Sequence, residues 1–341
     1  MTATGSWRRP WRSDAGRVAA AVNVRQHEGV TQAVDGARGS LPGGPASQAT
    51  APTGQAAALA GRATAPGGRL SVLARLVSGG GVVILSGAGL STESGIPDYR
   101  GPTGLARRAE PMTYQTFISG AAARRRYWAR SQLGWRHISA AVPNLGHHAV
   151  AELEHRGLLA GIITQNVDGL HQAAGARRVI ELHGGLDRVV CLGCGERTSR
   201  ERLDQRLRAA NPGWDARVAQ VNPDGDVVLA DDDVACFRVV DCARCGGLLK
   251  PDVVFFGENV PRPRVDQCHA LVEQADALVV LGSSLTVMSG YRFVRHAARL
   301  AIPVAIVNVG PTRGDAQASL ILDAPLGRTL TAVVSRCRRA S

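Results

Sequence analysis

Two Cys-x-x-Cys pairs, Cys191 with Cys194 and Cys242 with Cys245, place four thiolates within reach of one ion. Two thiolates across a tight turn share a metal, and four satisfy tetrahedral Zn²⁺. A site closed by four sulfurs keeps no open position for a substrate, so its role is structural and the chemistry must lie beside it. Cys236 is a competing ligand, but its spacing to Cys242 fits the pattern less well than that of Cys245. Beside the pairs stand Gln165, Asn166 and Asp168 in one polar run, and His183 at the end of Val179-Ile-Glu-Leu182. A histidine that ends a strand, is followed by glycines and lies near an amide and a carboxylate has the placement of a general base; its free pKa of about 6.5 suits that task at neutral pH.

Those groups need elements to hold them. Val82-Val-Ile-Leu85 is a short continuous apolar run that meets Ser86-Gly-Ala-Gly-Leu-Ser91, the pattern of a buried parallel strand ending in a glycine turn. Such a turn brings backbone N–H groups against a phosphate. The long polar segment Thr92 to Arg100 reads as a functional lid. Gly161 to Thr164, Val179 to Leu182, Val253 to Phe256, Ala277 to Leu281 and Val304 to Val307 read as further strands. Helical spacing marks residues 70–77, 112–138, 145–157, 200–210, 265–274 and 291–300. His147 and His148 are expected at a helix start, in packing roles. Several strands ending in small or amide residues over one crevice predict an α/β fold: a Rossmann-like, doubly wound parallel sheet with a small inserted four-cysteine zinc-binding module.

Residues 1 to 65 lack apolar periodicity and read as a disordered leader. The domain then spans 66–335, with Rossmann-like portions at about 66–185 and 250–335, the zinc module at about 186–249, and a tail at 336–341. Arg8, Arg9, Arg12, Arg17 and Arg25 give the leader some transit-peptide character, which would direct the chain to a mitochondrial matrix; a bacterial low-complexity extension is preferred, with a cytoplasmic location. The formal net charge is +12, yet the basic residues are nearly all scattered arginines, Lys250 being the only lysine. That dispersion argues against a nucleic-acid stripe. No apolar run is long enough to span a bilayer, so no membrane partner is expected. Seven cysteines with two metal-spaced pairs suit a reducing compartment.

The residues Gly87 to Arg100, Thr164-Gln-Asn-Val-Asp168, Glu181-Leu-His-Gly184, both cysteine pairs, Lys250 to Glu258, Gly282-Ser-Ser284 and Asn308-Val-Gly310 together resemble the sirtuin family, over roughly 69–335. The long insert between the cysteine pairs, Asp98-Tyr-Arg100, Tyr127-Trp-Ala-Arg130, Pro223-Asp-Gly-Asp226 and Gly290-Tyr-Arg-Phe293 resemble its class II branch, which holds the fourth, mitochondrial human sirtuin.

That resemblance implies an NAD-dependent protein-lysine deacylase with one structural Zn²⁺ on Cys191, Cys194, Cys242 and Cys245. It implies that Gly87, Ala88, Gly89, Ser91, Thr92, Ile96, Pro97, Asp98, Tyr99 and Arg100 wrap the diphosphate and nicotinamide ribose. Ala88, Ile96, Asn166 and Asp168 would line the nicotinamide pocket, and Gln165 and Asn166 would position the ribose and a water. His183 would be the base. Gly282, Ser283 and Ser284 would take the phosphate side, and Asn308, Val309, Gly310 and Leu326 the adenosine side. Leu326 stands where class II relatives often carry cysteine. Val253, Val254 and Phe256 would clamp an acylated lysine of a protein substrate by strand addition. Tyr127 and Arg130 keep a Tyr-x-x-Arg spacing that suits acidic acyl groups, although Arg130 reads equally as a surface arginine beside Arg124, Arg125 and Arg126. A monomer is the expected state. Mono-ADP-ribosyl transfer to a protein is the alternative within the same fold, and a zinc-ribbon nucleic-acid binder is the alternative from another class.

Overall fold

A computed structural model describes residues 66–99, 111–216 and 226–337; the leader, Arg100, most of the Pro223–Asp226 motif and the last four residues lie outside them. In chain order the elements are α1 (Pro66–Ser78), β1 (Val82–Ser86), α2 (Tyr114–Ser119), α3 (Ala121–Ala140), α4 (Leu145–His155), β2 (Leu159–Thr164), α5 (Leu170–Ala173), β3 (Val179–Glu181), β4 (Gly184–Cys191), β5 (Arg197–Ser199), α6 (Arg200–Ala210), α7 (Asp231–Ala235), β6 (Leu249–Val253), α8 (Arg262–Glu273), β7 (Ala277–Leu281), α9 (Met288–Arg299), β8 (Val304–Asn308), β9 (Leu320–Asp323) and α10 (Leu326–Arg336).

Six strands form one sheet in the order β3-β2-β1-β7-β8-β9, every pair parallel. Every residue of β1 and β7 is buried. The reason is that helices cover both faces: Val82 and Ile84 pack into one apolar cluster with Val150, Leu153 and Leu330, while Val83 and Leu85 pack into another with Val272, Phe293 and Val294. Burial on both sides is what turns these strands into unbroken apolar runs. The order reverses direction beside β1, between β2 and β7, and the ends of those strands open a crevice there.

The second sheet is small and antiparallel, in the order β5-β4-β6. The expected strand Val253 to Phe256 is displaced: the ladder runs through Leu249–Val253, opposite Cys191 to Val189, and the chain leaves it at Val253. Val254 N–H still donates to the His183 carbonyl at 2.8 Å, and Phe256 keeps a single parallel bridge to Thr113. Gly184 is the hinge between the sheets. Its φ is +82°, and a Cβ there would lie 2.0 Å from the Asp252 carbonyl oxygen.

α4 begins with a capping box: the Asn144 side chain accepts from Gly146 and His147 N–H, and the Asn144 N–H donates to the His147 ring at 3.4 Å. His147 therefore does serve a helix start. It is fully buried, its ring 5.2 Å edge-on from that of His171, which bonds Ser86 Oγ at 2.8 Å. Burial, with the neighbouring His171 and His148, lowers the pKa of His147 to about 3; burial, partly offset by Glu154, lowers that of His171 to about 4.

Gly184→Ala sets a methyl against main chain and should lower unfolding free energy by more than about 2 kcal/mol in urea melts, because neither backbone strand can retreat. The two buried histidines are neutral when folded but titrate near 6.5 when unfolded, so the unfolded chain binds more protons below that value. Their contribution to stability is complete above about pH 6.5 and is lost on acidification toward about pH 4, by up to about 1.4 kcal/mol per pH unit for each. His171→Gln should flatten that slope in melts between about pH 7 and about pH 5; an unchanged slope contradicts the assignment.

Candidate functional site

The crevice is a cavity of about 980 Å³ built from strand ends: Gly87 to Ser91 after β1, Gln165 to Asp168 after β2, Gly282 to Met288 after β7, and Asn308 to Pro311 at β8. Two of these loops touch main chain to main chain. Gly87 N–H donates to the Leu281 carbonyl at 2.9 Å and Gly89 N–H to the Gly282 carbonyl at 2.8 Å. A Cβ on Gly89 would stand 2.9 Å from Gly282 Cα, and one on Gly282, whose φ is +61°, 2.5 Å from Leu90 N. Side chains are excluded, leaving a bare peptide cradle of the kind that admits a diphosphate.

At the end of β2 the polar side chains are wired to that cradle. Asn166 Nδ2 donates to the Gly87 carbonyl at 3.1 Å and to Ser91 Oγ at 3.0 Å; Ser91 Oγ in turn donates to Asp168 Oδ2 at 2.6 Å. Leu170 N–H holds Asp168 Oδ1 at 2.9 Å. Burial raises the Asp168 pKa against the lowering effect of those bonds. Gln165 Nε2 donates to Ser283 Oγ at 2.8 Å, joining β2 to β7 across the cleft.

His183 sits between this half and the Val253 to Phe256 wall. Its Nδ1–H donates to the Gln165 carbonyl at 2.9 Å, and the Ser289 hydroxyl donates to Nε2 at 2.8 Å. The carbonyl settles the tautomer, so Nε2 is the basic nitrogen. Burial lowers the pKa of His183; the Gln165 bond opposes that, and Arg264 and Arg292 add to it. The ring is thereby kept neutral at physiological pH.

The same cavity is lined by Val253, Val254, Phe255 and Phe256 and by Ile96, Tyr99, Met112, Tyr127, Ile138 and Leu186. Tyr99 meets Phe256 edge-on at 5.8 Å. The wall is pinned by Lys250, buried under the Phe255 ring at 4.8 Å: its ammonium donates to the carbonyls of Pro251 (3.3 Å) and Val253 and pairs with Glu258 at 3.1 Å. Glu258 also accepts from Phe255 N–H at 2.9 Å.

All expected cofactor-side residues line the cavity except Pro97, which lies off its surface, and Arg100, which is outside the described residues. Of the expected substrate residues, Val253, Val254, Phe256 and Tyr127 line it. Arg130 does not: its guanidinium turns to Asp226 at 3.4 Å, with both side chains largely buried. A salt bridge across an insert has no local signature, so spacing alone left Arg130 equally a candidate for acyl contact. Sequence reading assigned no role to Ser289, Arg292 or Leu186, nor to the Lys250–Glu258 pair, although Lys250 to Glu258 and Gly290-Tyr-Arg-Phe293 stand among the motifs that carry the family resemblance.

The four thiols of Cys191, Cys194, Cys242 and Cys245 lie within 4.8 Å of one another, with Cys191 to Cys245 at 3.5 Å and Cys194 to Cys242 at 3.8 Å. Tetrahedral zinc–sulfur bonds of about 2.3 Å require sulfurs about 3.8 Å apart, so the site fits Zn²⁺. Cys236 takes no part in the cluster. Thiolates this close repel: the Cys194 and Gly193 N–H groups bring Cys191 down to about 6, whereas Cys245, despite the Gly247 N–H, is pushed up to about 12 by Cys194 and Cys191. A divalent cation removes that conflict.

The chain matches the model of the Sir2 family over residues 87–289. It is 60% identical over 267 residues to NAD-dependent protein deacetylase 1 of Streptomyces coelicolor, covering 78% of this chain and 89% of that protein. It is 48% identical over 258 residues to the NAD-dependent protein lipoamidase sirtuin-4, mitochondrial, of Bos taurus, covering 75% and 82%. Among solved structures it resembles a Sir2–p53 peptide–NAD+ complex (TM-score 0.63, 30% identity, 77% and 96% coverage) and Sir2 bound to acetylated peptide (TM-score 0.62, 29% identity, 78% and 97%).

Zinc removal should be felt at the catalytic end, because β4 runs from Gly184 to Cys191 and ties His183 to the metal module. Treatment with a strong chelator should lower the melting temperature and abolish turnover together; a demetallated, folded and fully active protein contradicts this.

Proposed function

This chain belongs to the Sir2 family, and from that premise we propose that it removes acyl groups from protein lysines with consumption of NAD, inside the cavity that runs from the Gly87–Gly282 cradle to the Val253–Phe256 wall. The observation that carries the reading is His183. Its Nε2 stands where the polar cofactor half meets the apolar wall, with the tautomer set by Gln165 and the pKa held below its ordinary value.

NAD, when bound, supplies an electrophilic ribose carbon and the acceptor of the acyl group; the bare peptide cradle, the Asn166–Ser91–Asp168 chain and the cleft-spanning Gln165–Ser283 bond are the residues that fit it. Asn166, tethered at two points, orients groups at the ribose. His183 Nε2 takes a proton from a ribose hydroxyl, help typically worth about 10²- to 10⁴-fold. The acyl-lysine enters along Val253, Val254 and Phe256 by strand pairing, and its chain lies among Tyr127, Leu186, Phe255 and Ile138. Arg130, neutralised by Asp226, leaves that pocket apolar, so neutral acyl chains are the preferred substrates. The deacetylase and lipoamidase names of the relatives agree with neutral chains.

The test is turnover of NAD with lysine peptides bearing acetyl, lipoyl, long-chain and glutaryl groups, with mass spectrometry of the acylated ADP-ribose product. Neutral acyl groups should be transferred and His183→Ala should lose activity by at least about 10²-fold. Nicotinamide release without an acyl product, with label on the protein acceptor, would instead establish ADP-ribosyl transfer. Asp226→Asn frees Arg130 and should raise glutaryl turnover relative to acetyl; an unchanged ratio refutes the pairing as the selectivity device. Because base catalysis needs neutral His183, kcat/KM should fall on acidification only below about pH 6.5. Arg292→Gln removes a cation that lowers the His183 pKa and should shift that acid limb to higher pH.

A further inference from the structure

The His183 ring has a single acceptor nitrogen to offer. Its Nδ1–H is spent on the Gln165 carbonyl at 2.9 Å, which leaves the lone pair on Nε2, and there the Ser289 hydroxyl already donates at 2.8 Å. The atom that must receive a proton therefore faces a hydroxyl of the protein itself. A second donor cannot take that lone pair unless Ser289 gives it up.

The fold holds this contact from both ends. Ser289 is the second residue of α9, and the Tyr291 N–H closes the first turn of that helix on the Val287 carbonyl at 3.2 Å. Gly290, next to Ser289, is pressed on Gln165: a Cβ there would lie 2.5 Å from Gln165 Oε1. Gln165 thus aims the ring with its carbonyl and sets the start of α9 with its side chain. The charges that bear on the ring are Arg264 of α8, which donates to the Leu182 carbonyl at 3.3 Å, and Arg292 of α9, which donates to the Met288 carbonyl at 3.5 Å. Both disfavour an imidazolium, so a proton that arrives on Nε2 needs an acceptor. Ser289 Oγ supplies one, because the hydroxyl that donates to a neutral imidazole can accept from a protonated one. Ser289 also lines the main cavity. While its proton points at Nε2 its oxygen keeps lone pairs, so a hydroxyl in the cavity can donate to it with the bond to His183 in place.

We propose that Ser289 is a proton relay, and that the ribose proton reaches His183 through its hydroxyl and not by direct contact. The ribose O–H bond breaks as an O–H bond forms at Ser289 Oγ, and the original Ser289 O–H bond breaks as an N–H bond forms at His183 Nε2. Ser289 ends as it began, the imidazole carries the proton, and the ribose oxygen keeps the electron pair that bonds to the acyl carbon. The inference rests on the deacylase reading and adds to it the path of the proton.

One test needs no turnover. In the full-length, zinc-loaded chain with isotope-labelled histidine, the Nε2 resonance of His183, assigned with His183→Ala, should move in Ser289→Ala. That difference should persist at saturating ADP-ribose, which carries the ribose hydroxyls. No difference in the free protein, or one that vanishes with ADP-ribose because the ribose has displaced Ser289, overturns the relay. The companion test is single-turnover acyl transfer from an acetyl-lysine peptide with NAD. Ser289→Ala, a substitution favoured in a helix, should slow it by about 10-fold, less than the loss of at least about 10²-fold expected of His183→Ala. Ser289→Thr, which restores a hydroxyl, should recover most of the rate. An alanine variant as fast as the unsubstituted chain, or a threonine variant as slow as the alanine one, overturns the relay while acyl transfer stands. If the unsubstituted chain transfers no acyl group, the deacylase reading itself fails, and the relay with it.

Discussion

The contact of two peptide planes at the sheet's point of reversal is the constraint on which the rest depends. Gly87 and Gly89 lie on Gly282 without a side chain between them, and two hydrogen bonds lock that approach. Because no Cβ fits, the loops after β1 and β7 form one surface, and the polar residues after β2 have a fixed edge to bond. Asn166 reaches the Gly87 carbonyl only because that carbonyl is held there. Were the loops apart, Asn166, Ser91 and Asp168 would be three solvated side chains rather than one oriented chain of hydrogen bonds that ends on the Asp168 carboxylate.

The opposite wall has a different kind of support. Its small sheet packs Leu186, Val189 and Leu249 into an apolar cluster with Trp128, Leu133 and Leu203, and cross-links are added to that core: the four cysteines that fit one metal, the buried Lys250 joined to Glu258 and to two carbonyls, and Arg200 over Trp128 and Trp135 at 5.4 and 5.6 Å. His183 lies at the junction of the two supports. Its ring is aimed by the carbonyl of Gln165, from the large sheet, while its own carbonyl receives Val254 N–H from the small one. His183 is thus registered simultaneously to the polar half of the cavity and to the Val253–Phe256 wall.

Burial sets the electrostatics of both regions in one direction. His147, His171 and His183 are all held neutral, chiefly by desolvation. In the first two this is the cost of filling a core with imidazole; in the third the same effect keeps a proton acceptor available. Arg130 shows the complementary case: its cation is paired with Asp226 and lies off the lining of the main cavity.

Much was legible in the chain itself. Val82 to Leu85, Ala277 to Leu281 and Val304 to Val307 announce themselves because strands covered on both faces must be apolar at every position. The cysteine pairs are legible because their ligand geometry is local, Gly87 to Ser91 and Gln165 to Asp168 because each follows a buried apolar strand, and His183 because it ends a short edge strand and precedes two glycines. β5 and β9 were not, since strands this short carry no sustained period, and neither was β4, whose paired glycines and Asp187-Arg188 interrupt the apolar pattern. What only the tertiary structure decided are pairings between distant segments: Ser289 on His183, Asp226 on Arg130, and Asp204 on Gln132. A strand or a metal turn is specified by neighbours in the chain. A hydrogen bond across a hundred residues exists only once the core has brought its two ends together.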